Sequence, residues 1–355
     1  MLREFGILDR AFNTRQIRNP KSEIEMRNAR IIGTGVSVPE KVITNDDLSR
    51  SLGEDISEFV EKNLGIRERR VLAEEESAAD IATRAADNAL QDAGIAAEDL
   101  DLIILATDTP EYLSPGTSVV VQHRIGAKNA GTFDTNAACA GFVTAFDTAF
   151  KYIIADRNYK NVLVIGCYAM TKFLDWTEKK TATIFADGAG AIVLQADESG
   201  ECGILTSKLE AMGEYHDFLG IFAGGSKTPV TEEVLENGYY NKVRFAKRTP
   251  PEINFEGWQR IVKELLAREN LTFDDIALFL WTQVNLSTIR EVMAALNQPM
   301  EKTHTIMGKW GYTGSACIPM VLDDAIRAGK LKRGDLVVLC ASGGGINMAA
   351  MIFRY

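Results

Sequence analysis

Two apolar runs recur along this chain at one fixed offset. Asp101-Leu102-Ile103-Ile104 is echoed by Asp275-Ile276-Ala277-Leu278. Val162-Leu163-Val164-Ile165 is echoed by Leu336-Val337-Val338-Leu339. Under the same offset Cys139 falls on Thr313, and the helix after Cys139 matches Ile318 to Ala328. Three matches in one register indicate a duplicated unit. Unbroken apolar runs of this length suit strands buried on both faces. Strands alternating with helical periodicity then predict a layered α/β protein of two similar halves. The chain divides into an N-terminal extension over 1–28, a first half over 29–200 and a second half over 201–355, with the change of halves at Gly200 to Gly203.

The stretch Asn136-Ala137-Ala138-Cys139-Ala140-Gly141-Phe142 stands between an apolar segment around Thr132-Phe133-Asp134 and a long amphipathic run. It reads as a strand, a tight elbow and a helix with Cys139 at its N-terminus. Orphan backbone N–H groups and the positive end of the helix dipole gather there. A thiol so placed is expected to ionise more easily, and the thiolate is the nucleophile. Four small neighbours leave room for a carbonyl beside the sulfur. The competing reading is a buried structural cysteine at the foot of a core helix.

Elsewhere the chain reads as conventional α/β punctuation. Ile31 to Val36 is a first strand, Thr44 caps a helix, Asp55 to Leu64 is a short helix stopped by Gly65, and Glu75 to Ala93 is a helix ended by Gly94. Val119 to Ile125 is helical, and Ala186-Asp187-Gly188-Ala189-Gly190 turns the chain before a strand at Ala191 to Leu194. Neither this run nor Gly33-Thr34-Gly35 completes a phosphate-binding motif, so both read as tight turns and close packing. A net charge of -10 argues against a nucleic-acid surface. No apolar stretch is expected to reach the ~18 residues of a membrane span, and residues 1–30 show no signal-peptide core. Cys139, Cys167, Cys202, Cys317 and Cys340 lack any paired spacing, which points to a reducing cytosol. His123 reads as structural, His216 as a loop residue and His304 as a residue before a strand near the second elbow; no set shows metal-ligand spacing.

Four segments together resemble the thiolase-fold condensing enzymes, and within them the β-ketoacyl-acyl-carrier-protein synthase III family. They are Gly65-Ile66-Arg67-Glu68-Arg69-Arg70, Ala137 to Phe142, Ile184 to Ala191, and Gly343-Gly344-Gly345. The resemblance spans about Ile31 to Tyr355. It implies a thiolase-like fold with a layered α/β/α/β/α core. It implies a dimer with the Val119 region near the interface, and acylation of Cys139 from acyl-CoA or acyl carrier protein without any cofactor. Backbone N–H groups of Cys139 and Gly344 would form the oxyanion hole.

The departures from the family pattern are specific. Its His-Gln-Ala-Asn motif reads Thr282-Gln283-Val284-Asn285, and its Gly-Asn-Thr-Ser motif reads Gly311-Tyr312-Thr313-Gly314. Thr282 and Tyr312 thus occupy the positions of the histidine and asparagine that bind the malonyl carbonyl during decarboxylation. Asn285 keeps its place in the substrate-binding set. Ser342 replaces an aromatic residue, Phe59 and Lys179 stand for the tryptophan and arginine that clamp adenine, Asn63 for a second arginine, and Ser287 for a third near Arg290. Ser114 takes the place of a large residue that closes the acyl pocket from the partner subunit. Two readings follow: an acyl-thioester transferase with altered decarboxylation, or a non-catalytic partner subunit of a heterodimer.

Overall fold

The computed structural model describes residues 27–355 except Tyr239. Of the expected extension, residues 1–26 lie outside the described residues. The repeat seen in the sequence becomes two sheets of matching order. In the first, Asn28–Ser37, Asp187–Asp197, Asn161–Ala169, Leu102–Ala106 and Gly131–Thr135 lie side by side. In the second, Gly203–Ala211, Asn347–Arg354, Leu336–Gly343 and Ile276–Trp281 follow the same sequence. A parallel bridge from Phe279 to Thr303 stands where the fifth strand would be. Leu102–Ala106 pairs parallel with Asn161–Ala169, and Ile276–Trp281 pairs parallel with Leu336–Gly343.

The layers follow from the apolar periodicity of the strands. Ile104, Val162 and Val164 face the interior between the sheets, where they join one core with the strands of the second sheet. Ile103, Leu105, Leu163 and Ile165 face outward, onto the helix Ala78–Ala93. The helix Glu252–Arg268 covers the outer face of the second sheet. Between the sheets lie Gly141–Ala155 and Cys317–Arg327, each touching strands of both sheets. Every strand of the parallel core is therefore covered on both faces, as its unbroken apolar sequence requires.

Three local expectations change. Asp187–Gly190 lies inside a strand of eleven residues and makes no turn. Its glycines are needed for contact: a Cβ on Gly190 would stand 2.8 Å from the Met320 backbone N, so the second central helix can press onto the strand. Asp187 itself is a buried strut that accepts from Leu72 N–H at 2.8 Å and from Thr171 N–H at 2.8 Å. His123 faces solvent on the last turn of Thr117–Ile125. Ala138–Ala155 does reach 18 residues of membrane-like hydropathy, and it is the helix packed between the two sheets.

Candidate active site

The elbow forms because the chain must turn from the strand Gly131–Thr135 into the helix Gly141–Ala155 within five residues. Ala138 takes a left-handed φ of 47°, a conformation unusual for a residue with a Cβ. Asn136 steadies it, its Oδ1 accepting from Ala138 N–H at 3.0 Å. Ala140 N–H and Gly141 N–H then close the turn onto Ala137 O and Ala138 O at 3.1 and 2.9 Å. The loop after Leu336–Gly343 presses against this turn. A Cβ on Gly343 would stand 2.5 Å from Cys139 N, so only glycine fits there.

Cys139 lies at the junction of two cavities. The first, about 320 Å³, is lined by Tyr312, Ser342, Gly344, Asn285 and Asn254 among others. Through Leu64, Ile184, Phe245 and Thr249 it continues into a wider basin of about 730 Å³. Phe59, Lys179, Lys180, Lys247 and Arg248 line that basin, with Phe59 63% exposed. The second cavity touching Cys139, about 390 Å³, is lined by Asp108, Asn136, Tyr168, His216 and Gly344.

The thiol is not activated in the way its place near a helix start suggests. Burial pushes the Cys139 thiol well above its ordinary value, and the Asp108 charge adds to this. The Tyr312 hydroxyl, which donates to the sulfur, and the Cys139 backbone N–H act against both. Desolvation outweighs them because Cys139 is only 6% exposed.

The sequence-derived residues divide by place. Cys139, Tyr312, Asn285, Ser342 and Gly344 meet around one cavity, and Phe59 and Lys179 meet at its outer basin. Thr282 lies apart. It is fully buried, and its Oγ1 accepts from Ser342 N–H at 2.8 Å. Ser342 Oγ in turn accepts from Trp258 Nε1–H at 3.1 Å, and Trp258 stacks on Trp281 at 5.5 Å. Two tryptophans and a threonine thus fill the corner and hold the Ser342 backbone. Asn285 caps the helix Leu286–Ala295, its side chain accepting from Ser287 N–H and Thr288 N–H. Ser114 is exposed beside Leu113 and Tyr112 and lines neither cavity at Cys139. His304 Nε2 lies 2.6 Å from Asp324, away from both cavities.

Sequence reasoning passed over Asp108, Tyr168 and Asn254. One signal was available for Asp108: it stands two residues after the buried strand Leu102–Ala106, at the carboxyl end where open α/β sheets collect their ligands.

Comparison with known proteins decides the family. The model of the 3-oxoacyl-[acyl-carrier-protein] synthase III family matches residues 133–213, and that of its C-terminal part matches 266–355. The beta-ketoacyl-[acyl-carrier-protein] synthase III of Xanthomonas campestris is 36% identical over 331 residues, covering 92% of this chain and 98% of the relative. The chain belongs to the β-ketoacyl-acyl-carrier-protein synthase III family. It is a condensing-type acyltransferase, as the sequence motifs led us to expect. The 3-oxoacyl-[acyl-carrier-protein] synthase III of Aquifex aeolicus has the same fold, with a TM-score of 0.83, 35% identity, and coverage of 92% of this chain and all of that one. The priming β-ketosynthase of the R1128 polyketide pathway has a TM-score of 0.82 at 25% identity, covering 94% of this chain and 98% of that one. The thiolase-like fold of duplicated α/β halves is therefore established.

Proposed function

We propose that this chain is acylated on Cys139 by an acyl-CoA or acyl-carrier-protein thioester and passes the acyl group to an acceptor, with little or no malonyl decarboxylation of its own. The observation that carries the reading is the paired arrangement at Cys139. The elbow and the Gly343–Gly344 loop are packed against each other as acyl transfer needs, while Thr282 is turned into the Ser342 backbone and Tyr312 caps the sulfur. The first half-reaction needs the sulfur and two backbone donors at the developing oxyanion, and these are supplied by Cys139 and Gly344. The second needs donors at the malonyl carbonyl, and Thr282 is buried outside both cavities that touch Cys139. The basin around Phe59 and Lys179 supplies a ring face and four cations for the phosphates of a carrier arm. The pathway served is fatty-acid or related secondary-metabolite biosynthesis, with no cofactor beyond the thioesters, in a reducing cytosol that suits five free cysteines. The division of the chain at residues 200 and 201 belongs to the same reading.

Intact-protein mass spectrometry tests this. Incubation with a panel of acyl-CoAs should add one acyl mass per chain, and Cys139→Ala should abolish the adduct. Absence of any adduct from any acyl-CoA or acyl carrier protein would favour a non-catalytic partner subunit.

A further inference from the structure

The cavity on the far side of Cys139 is not built for a plain hydrocarbon. Asp108, Asn136, Tyr168 and His216 line it together with Met170, Phe185 and Leu219. Asp108 is partly exposed as a residue, yet its Oδ1 is closed off from solvent and has no hydrogen-bond partner. A buried acceptor without a donor is unfavourable, and native proteins rarely keep one without a use. Burial pushes this carboxyl up to about 6, and its charge acts on both Cys139 and Tyr168.

The position of the cavity says which part of a substrate it meets. A thioester carrier arm is anionic and fits the basin of Lys179, Lys180, Lys247 and Arg248, which leads to one side of the sulfur. The group transferred to the sulfur is left the other side, where Asp108 waits. A volume of about 390 Å³ admits a short chain.

We propose that the acyl group carried by Cys139 bears a hydrogen-bond donor, a hydroxyl or an amine, a few atoms from its thioester carbonyl, and that the Asp108 carboxylate, which lines the cavity, accepts from it. The inference rests on Cys139 being the acylated nucleophile. It makes Asp108 a specificity-determining residue. The acylation it describes transfers the acyl carbon from the carrier sulfur to Cys139 Sγ, and the carrier leaves as a thiol with the proton that the Cys139 thiol gives up.

The test uses the full chain and three thioesters of equal length: butyryl-CoA, 3-hydroxybutyryl-CoA and 3-aminobutyryl-CoA. The readout is kcat/KM for formation of the acyl adduct, followed by intact mass. A hydrogen-bonding site rejects an analogue that lacks its donor, so at least one substituted thioester should exceed butyryl-CoA by roughly 10- to 100-fold. Asp108→Ala should bring that ratio close to one. Asp108→Asn keeps an accepting oxygen but no charge, so it should retain a preference for the hydroxyl and lose one for the amine. Those two outcomes separate the two donors. A preference for butyryl-CoA, or a ratio that survives Asp108→Ala, overturns the inference while leaving acyl transfer on Cys139 intact. Failure of all three thioesters together with every other acyl donor removes both.

Discussion

Tyr312 and Asp108 act on the same sulfur with opposite sign. The Tyr312 hydroxyl favours the thiolate by donating to it, and the Asp108 carboxylate disfavours it through charge. Alkylation by iodoacetamide follows the thiolate fraction. At pH 8, Tyr312→Phe should slow alkylation of Cys139 and Asp108→Asn should speed it, each by about three- to tenfold. Equal rates in all three proteins would remove the electrostatic account of the site. Asp108 also leaves a mark on stability. Its folded value of about 6 lies above its ordinary 3.8, so the folded state binds the extra proton. The stability it contributes is present below about pH 4 and is lost as pH rises through 6. Asp108→Asn should therefore be more stable than wild type at pH 7, on the order of 1–3 kcal/mol, with the difference vanishing near pH 4. Thermal unfolding of the two proteins across that range reads it directly.

At the scale of elements, the site depends on how closely two turns approach. The Gly343 position touches the Cys139 amide, whereas a Cβ on Gly344 would meet nothing nearer than Leu219 O at 3.4 Å. Gly343→Ala should cost about 1–3 kcal/mol and abolish acylation, and Gly344→Ala should lower the melting temperature much less. The turn itself was readable from small residues around Cys139. The second elbow was readable from the repeat, but its register was two residues off: the left-handed Ala138 at 47° matches Gly314 at 44°, so Cys139 stands opposite Ser315 and Thr313 opposite Ala137. The use of Thr282 was not readable, because its partner Ser342 is 60 residues away and is decided by the filling of the corner by Trp258 and Trp281. The raised thiol value was missed for the same reason. A helix start near a cysteine is visible in sequence, but the burial that outweighs it is produced by chain segments from both halves. Strand bounds erred where glycines were taken as turns, since the packing of Gly188 and Gly190 on Met320 is a tertiary contact.

At the scale of the whole molecule, the first sheet ends in an open edge at Gly131–Thr135, next to the exposed apolar side chains Val119, Leu113 and Tyr112. An open strand beside apolar surface is normally covered. Sedimentation should give a species of twice the chain mass, and Leu113→Glu with Val119→Lys should shift it toward the monomer. The duplicated fold brings one half's nucleophile against the other half's loops, and the central claim is that only part of this joint machinery is retained. Under the proposed function acyl transfer to Cys139 is kept, while the malonyl-binding positions carry a threonine buried outside the cavities and a tyrosine that donates to the sulfur. Restoring one donor leaves the other obstacle in place, so the effects should be strongly non-additive. The measurement is carbon dioxide release from malonyl-carrier protein by wild type, Thr282→His, Tyr312→Asn and the double variant. Near-background release by the first three with a clear rise in the double variant is the predicted result; brisk release by the wild type would contradict it.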